Sequence, residues 1–509
     1  MTDSDNVSIH SQVADWHSMI MGLLIVGNIA MFAGSMAILA AVDNMVIQYT
    51  DIGILTYAIP PGEITIPVYK FDLASTFTLM YNGGGVWAFI AIVLILASGC
   101  WPYIKLLNLA AVWYMPMGSK RREWTLWFTD ISGKVGYVNF YLLFLIGVSL
   151  GISSTINLTH MSPAASTFLE GLLVAMGKSD IKPNLLLPNL TIKLALDAKV
   201  ALFLYVVALM LSIAITQHAV SMHFWFTYGD DHSKLTGKSF KSKYKGNYLA
   251  FAIAAVLSLA AVGLFIWVLA VDMFTFTYGG MLGPMLVPEK TKTFSLISVG
   301  TGFPSQTYTP YDAGSMFLAV IYFYLCICGP IILGVAIACM WAATVFDLPA
   351  RWRRRFLRTM QFAGAWSALD VFLVCFGIGT YDITRLLDYT LKVSMEGMVI
   401  PEILIDILKK INIPLPNNVY GLVKNICGPE YTMDLSMFSP ILPLGDQSHC
   451  LSVDTQLLMG YYGLLACVLI VLIGGIATAI MLSPSMVEIE DGKKMLESED
   501  EPHIEEPAY

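Results

Sequence analysis

Apolar residues in this chain come in long, nearly unbroken runs, not at the three-to-four-residue spacing of a soluble amphipathic helix or in the alternation of a half-buried strand. A run of about 20 apolar residues spans the hydrocarbon core of a bilayer, and hydrocarbon, which offers no hydrogen bonds, forces each such run to close its own as a helix. Eight runs fit: Ser18 to Val42, Val86 to Tyr114, Tyr137 to Ile156, Leu194 to His218, Tyr248 to Val271, Gly314 to Phe346, Trp366 to Tyr381 and Leu458 to Met481. The pattern predicts an all-α polytopic membrane protein with eight transmembrane helices.

The runs repeat. Ala97-Ser98-Gly99-Cys100-Trp101-Pro102 leads into a basic turn at Lys120, Arg121 and Arg122 and then Gly133-Lys134 through Asn139-Phe140. In the second half Pro330 answers Pro102, Arg351 to Arg355 answer the basic turn, and Gly364-Ala365-Trp366-Ser367-Ala368-Leu369-Asp370 answers the stretch ending at Phe140. Ala41-Val42-Asp43 and Ala270-Val271-Asp272 close the first helix of each half. All four landmarks recur at an offset of about 230 residues, the mark of a tandem duplication. The expected layout is a short N-terminal segment (1–16), a first four-helix, tetraspan-like module (17–228), a basic linker (229–247), a second module (248–483) and a tail (484–509).

Between the helices the pattern changes. Glu63 to Leu73 and Lys290 to Ser298 are rich in β-branched and aromatic residues at equivalent places, predicting a small extramembrane sheet in each half. Pro401 to Ile411 places Ile403, Leu404, Ile407, Leu408 and Ile411 on one helical face, which would cover the second sheet, lie on a membrane or grip a partner.

Composition agrees: 56% of residues are hydrophobic and 13% charged, with a mean hydropathy of +0.67. The short loops at 120–122, 234–245 and 351–358 are basic and therefore cytoplasmic, which with an even helix count puts both termini on that side. The first residues, with Asp3, Asp5 and Asp15, lack the basic start of a signal peptide, so the first helix is expected to stay as an anchor. The net charge of −8 sits largely at the termini, above all in the acidic tail from Glu488 to Glu506, which reads as unpacked or as a docking segment. On the opposite face Asn157 and Asn189 open glycosylation sequons, and Cys427 and Cys450 share one exposed segment as a candidate disulfide in an endomembrane or plasma-membrane setting. The other six cysteines lie in apolar helices and read as packing residues.

The chemistry available is a handful of polar groups in or near helices: Lys105, Lys134, Asn139, Asp197, Lys199 and Asp370. Charge is costly in a bilayer and usually faces a cavity or an opposite charge, although Lys105 could snorkel to headgroups and Asp370 could serve a helix N-terminus. No nucleophile with a base, phosphate-cradling glycine loop or metal cluster is recognisable, so no enzymatic activity, cofactor, metal or nucleic-acid partner is expected.

Ser98-x-x-x-Pro102-x-x-Lys105-Leu106-Leu107, the basic turn and Trp366-Ser367-Ala368-Leu369-Asp370-Val371-Phe372, with Pro330 between them, resemble the hallmarks of the paraquat-inducible protein A family. The resemblance implies two four-helix modules that work beside a tunnel-forming partner with MCE domains to move membrane lipids. It departs from bacterial members in having no Cys-x-x-Cys pair, so the zinc ribbons many of them carry are absent here. Two functions of different class are expected to compete. One is a lipid-transport or lipid-homeostasis component with Lys105 and Asp370 lining a cleft; the other is a tetraspan-like scaffold or receptor that binds a protein outside the cytoplasm. Ion-coupled transport of a small solute is weakened by the scarcity of acidic residues at mid-helix.

Overall fold

The computed structural model describes residues 8–37, 41–49, 62–71, 78, 81, 85–150, 152–156, 190–228, 248–279, 291–346, 348, 350–381 and 452–478. Within them the protein is mostly helical, and seven helices are long and apolar enough to cross a membrane: Asp15–Met36, Ala91–Tyr114, Val200–His223, Phe251–Ala270, Ala313–Val345, Arg355–Gly377 and Met459–Thr478. The chain is a multi-pass membrane protein.

The elements run α1 (Asp15–Ala37), β1 (Ala41–Tyr49), β2 (Gly62–Phe71) and α2, which comprises Gly85–Leu94, a π-helical turn over Ile95–Cys100 and Trp101–Tyr114. Then come α3 (Ser119–Gly133), a 3-10 turn (Lys134–Tyr137), α4 (Val138–Leu150), β3 (Ile152–Ile156), β4 (Leu190–Ala198) and α5 (Val200–Tyr228). They are followed by α6 (Tyr248–Ala270), β5 (Asp272–Gly279), β6 (Thr291–Ser295) and α7 (Leu296–Gln306). Next is α8, which comprises Ala313–Phe323, a second π-helical turn over Tyr324–Cys328 and Gly329–Val345. Last are α9 (Ala350–Trp366), α10 (Leu369–Tyr381), β7 (Ser452–Leu457) and α11 (Met459–Thr478).

Several sequence-based boundaries move. The third apolar run, expected as a span to Ile156, is a 13-residue helix of about 20 Å followed by a strand, so it falls short of a bilayer by itself. Ser153, Ser154 and Thr155 are poor continuations of a helix, and the segment pairs with β4 instead. The fourth run starts later than its hydrophobicity suggests. From Leu190 to Ala198 larger apolar residues alternate with Thr191, Lys193, Ala195 and Asp197, a period of two that suits a strand, and the helix begins at Val200. The basic segments expected as hairpin turns lie instead in α3 and α9, and residues 296–298 begin α7 through a reciprocal Ser295–Ser298 capping box. The helix expected at 401–411 lies outside the described residues, as do Asn157, Asn189, Cys427 and Cys450.

Among the described residues two antiparallel sheets form, in the orders β2-β1-β4-β3 and β6-β5-β7. In each, the strand after a long helix is flanked by the next strand and by the strand that enters a later long helix. The second sheet sits on the helices through buried Phe274 and Phe276, with the Phe274 ring 4.2 Å from that of Phe376 in α10. At the centre of the helical region α4 packs on α10 and α7, and the contact is aromatic. Phe144 stacks on Phe303 at 3.9 Å and on Tyr322 at 5.1 Å, while Tyr141 meets Phe372 edge-on at 5.4 Å.

The π-helical turns arise from the prolines that follow them. In the second, the Gly329 N–H bonds to Tyr324 O, five residues back. The remaining donor within reach of Leu325 O would be residue 330, but Pro330 has no N–H. The orphaned carbonyl is taken by the Ala368 N–H, 3.3 Å away, from the non-helical break between α9 and α10. In the first turn the Trp101 N–H likewise reaches back to Leu96 O and Pro102 follows, while the Trp101 indole donates to Ser132 O at 2.9 Å near the end of α3. Proline, π-turn and helix break are thus one device: a widened turn exposes a carbonyl, and a neighbouring helix opens to meet it.

Gly329 is the point of closest approach in that device, since a Cβ there would lie 3.1 Å from Ser367 Cα and 3.2 Å from Trp366 O, both backbone atoms. Gly329→Ala should destabilise the protein by about 1–3 kcal/mol through overpacking. Gly263→Ala, whose Cβ would meet nothing within 4 Å, should be neutral or stabilising by up to about 1 kcal/mol. Thermal unfolding of the purified variants in detergent checks this, and equal melting temperatures would contradict it.

Candidate functional site at the helix breaks

The two helix breaks bring charge into the middle of the helical region. Lys134 opens the 3-10 turn between α3 and α4, and Asp370 lies in the first turn of α10, where a carboxylate also suits the helix dipole. Lys134 Nζ is 2.5 Å from Asp370 Oδ2 and 3.5 Å from Ser367 O, the open carbonyl of the α9–α10 break. The side chains are 20% and 41% exposed, so screening limits an isolated pair of this kind to about 1 kcal/mol or less. Its weight comes from position: it joins the breaks of the two halves. Among the described residues, Asp370 Oδ1 has no hydrogen-bond partner and is buried.

Lys105 sits in α2, three residues beyond Pro102, and is 2% exposed. It does not snorkel to an open surface. Its ammonium lies against Gly133, where any Cβ would overlap it, and it faces Asp130 of α3. Asp130 in turn accepts a 2.5 Å hydrogen bond from the Gln217 amide of α5 and feels Lys134. Burial pushes the Asp130 carboxyl up to about 6, against the opposing pull of Lys105, the Gln217 bond and Lys134. The result is a line of alternating sign, Lys105, Asp130, Lys134, Asp370, from α2 through α3 and the 3-10 turn to α10. Two cations meet two anions in a charge-balanced line that is buried at its Lys105 end and partly exposed at the Lys134–Asp370 pair.

Beside the line is a group of neutral polar side chains. The Tyr205 hydroxyl of α5 donates to Gly136 O at 2.8 Å, with Ser98 of the first π-turn and Asn139 of α4 next to it. Among the described residues, Ser98 Oγ, Asn139 Nδ2 and the Tyr137 hydroxyl are buried there without a well-formed hydrogen bond of their own, as is the Trp366 indole N–H at the break. Unsatisfied donors and acceptors in one neighbourhood leave capacity for a polar ligand group or water.

Of the residues singled out from the sequence, Lys105, Lys134, Asn139 and Asp370 gather here, along with Ser98, Trp366 and Ser367; Pro102 and Pro330 hold the π-turns above them. Asp197 and Lys199, expected at the fourth helix beside the others, do not. Asp197 is in strand β4 opposite Val42. Lys199 precedes α5, about 27 Å along the helix from Gln217. Asp130, Gln217 and Tyr205 escaped the sequence reading. Asp130 has a signal, an acid four residues before Lys134 in a chain poor in charge, but Gln217 and Tyr205 stand in an apolar run with nothing to single them out.

With this geometry in place, residues 302–410 match the family model for Paraquat-inducible protein A. The resemblance carried by Pro330 and the Trp366-Ser367-Asp370 motif is thus borne out over that stretch. No curated protein and no solved structure matches the chain.

The raised Asp130 carboxyl has a definite linkage. Because the folded state holds this proton more tightly than an unfolded chain, with its ordinary value near 3.8, the contribution is full below about pH 4 and is lost as pH rises through about 6. The melting temperature of the wild type should therefore fall relative to Asp130→Asn between about pH 4 and pH 6 and run parallel to it above about pH 7. A constant difference across that range would show that Asp130 titrates normally.

Proposed function

We propose that this protein is an integral membrane component of lipid transport, built as two pseudo-symmetric four-helix modules whose breaks enclose the polar line. The single observation that carries this reading is the charge-balanced path Lys105–Asp130–Lys134–Asp370 running between elements of both halves. Buried charge is costly, and a line of it with unsatisfied polar groups alongside suits a place where a headgroup or proton passes through an otherwise apolar protein. The module reading is supported by the recurrence of the π-turn before Pro102 and Pro330 and by the matching strand orders, in which β1 and β5 hold equivalent central places. The match of residues 302–410 to the family model supports the family resemblance, and the lipid class of substrate is what that resemblance implies. An MCE-like or other membrane protein would then be the partner that receives or delivers the lipid, with both termini of this chain in the cytoplasm.

The modules contribute unequally. Asp370 is matched in the first half by the neutral Asn139, and Lys134 in the second by Ala365, so the ion pair is made once and its symmetry mate is missing. One path, not two, follows from that asymmetry.

A scaffold is the second reading, favoured by the stacked Phe144, Phe303 and Tyr322 between the halves, which suits a lock better than a moving joint. Labelled-phospholipid transfer in reconstituted vesicles separates the two. Lys105→Met and Asp370→Asn should each slow transfer by about ten-fold or more, because each leaves an opposite charge poorly compensated, with insertion and abundance near wild type. Lys134→Asp combined with Asp370→Lys should transfer faster than either single change. Lys409→Gln and Lys410→Gln should leave transfer intact. Full transfer by both Lys105→Met and Asp370→Asn would move the assignment to the scaffold.

A further inference from the structure

Helix α9 has two faces. Phe356, Leu357 and Met360 pack into a small apolar cluster with Ile337, Met340 and Trp341 of α8 and Val471 of α11. Opposite them Arg355, Arg358 and Thr359 are exposed, in a helix that also carries Arg351, Arg353 and Arg354. Arg355 lies over the exposed Trp352 ring at 5.1 Å, which leaves its edge N–H groups free to meet an anion. No acidic residue occurs between Ala350 and Trp366, so the helix has no counter-charge of its own.

The end of α11 is tied to the same place. The Trp341 indole donates to Thr478 Oγ1 at 3.0 Å, so the last described residue leaves the helical region at the cluster on which α9 sits. The next 31 residues, 479–509, lie outside the described part of the chain and carry nine acidic residues against Lys493 and Lys494. Their first acid, Glu488, is ten residues past Thr478, a reach of up to about 35 Å, whereas α9 is 17 residues and about 25 Å long.

We propose that the acidic segment 488–506 docks on the exposed arginine face of α9. Three observations converge on this occupant: opposite charge, a point of departure at the packed side of the same helix, and a tether long enough to reach around to the arginine face. A tether this short holds the acids at an effective concentration on the order of millimolar, so modest pairwise attractions suffice. The competing occupant is the anionic surface of the membrane, which would meet the same arginines without the tail. Because α9 runs directly into the Trp366–Ser367 break, an occupied face lies on the helix next to the Ser367 carbonyl that Lys134 binds. This inference is independent of whether the protein moves lipid.

Full-length protein carrying photo-reactive benzoylphenylalanine at Thr359 tests it, reconstituted in phosphatidylcholine nanodiscs, irradiated and mapped by mass spectrometry. The main adduct within the chain should join position 359 to residues 488–506. It should fall by about five-fold or more with Arg355→Gln and Arg358→Gln together. It should fall similarly with Glu497→Gln, Glu499→Gln, Asp500→Asn and Glu501→Gln together, and between about 50 and about 500 mM salt. Arg355→Lys should keep it. Adducts to lipid alone, a tail adduct indifferent to both sets of neutralising changes, or one that vanishes when about a third of the lipid is phosphatidylserine would overturn the proposal, the last assigning the face to the membrane.

Discussion

The ion pair between Lys134 and Asp370 is the constraint around which the helical region is arranged. A charge brought among apolar helices must find its opposite, and each of these residues finds it in the other half of the chain. Neither could do so from a continuous helix. Lys134 reaches across because α3 gives way to a 3-10 turn, and Asp370 is presented because α9 stops at Trp366 and α10 starts at Leu369. The pair adds little energy for a partly exposed bridge. It instead selects one register of the two halves, since sliding α4 against α10 by a turn would separate the charges and disturb the stacking of Tyr141 on Phe372.

The breaks have a cause in turn, and it is proline. Pro102 and Pro330 cannot donate to the preceding turn, the helix widens to accommodate them, and a carbonyl is left that hydrocarbon cannot satisfy. In the second half the Ala368 N–H fills that vacancy, a donor available only because its own helix has opened. Gly329 and Gly133 allow the close approach: the first lets α8 touch the break, and the second makes room for the Lys105 ammonium. Small residues, a proline and a missing hydrogen bond thus create a polar interior in a protein that is 56% hydrophobic.

The two halves of the sequence carry the same landmarks and unlike charges. Both carry the π-turn, the break and a sheet with the strand after the first helix at its centre. Only the first has Lys105, Asp130 and Lys134; only the second has an acid at the start of its post-break helix. On the other side of the line, the Cys326 thiol that takes the place of Ser98 lies against Tyr141 at 3.4 Å in a fully buried aromatic setting, whereas Ser98 stands in the group of neutral polar side chains. The polar line therefore belongs mainly to the first half and ends on one residue of the second.

The sequence by itself determined the class, most of the helices and half of the site. Apolar runs of bilayer length leave a chain no alternative to helices, and a lysine three residues after Pro102, like the acid four residues before Lys134, is conspicuous in an apolar background. The β-rich stretches announced two sheets for the same reason: their period of two survives in any context. What only the tertiary structure decided was where a helix yields to a strand and which polar groups meet. At Ile152 and Leu190 hydrophobicity is the same in either form, and pairing with a distant strand settled the outcome. Asp130, Gln217 and Tyr205 become part of the site through helices 87 and 69 residues apart in the chain, a proximity that no local pattern encodes. Asp197 runs the other way: its charge is visible in the sequence, but the structure places it in a strand, opposite Val42.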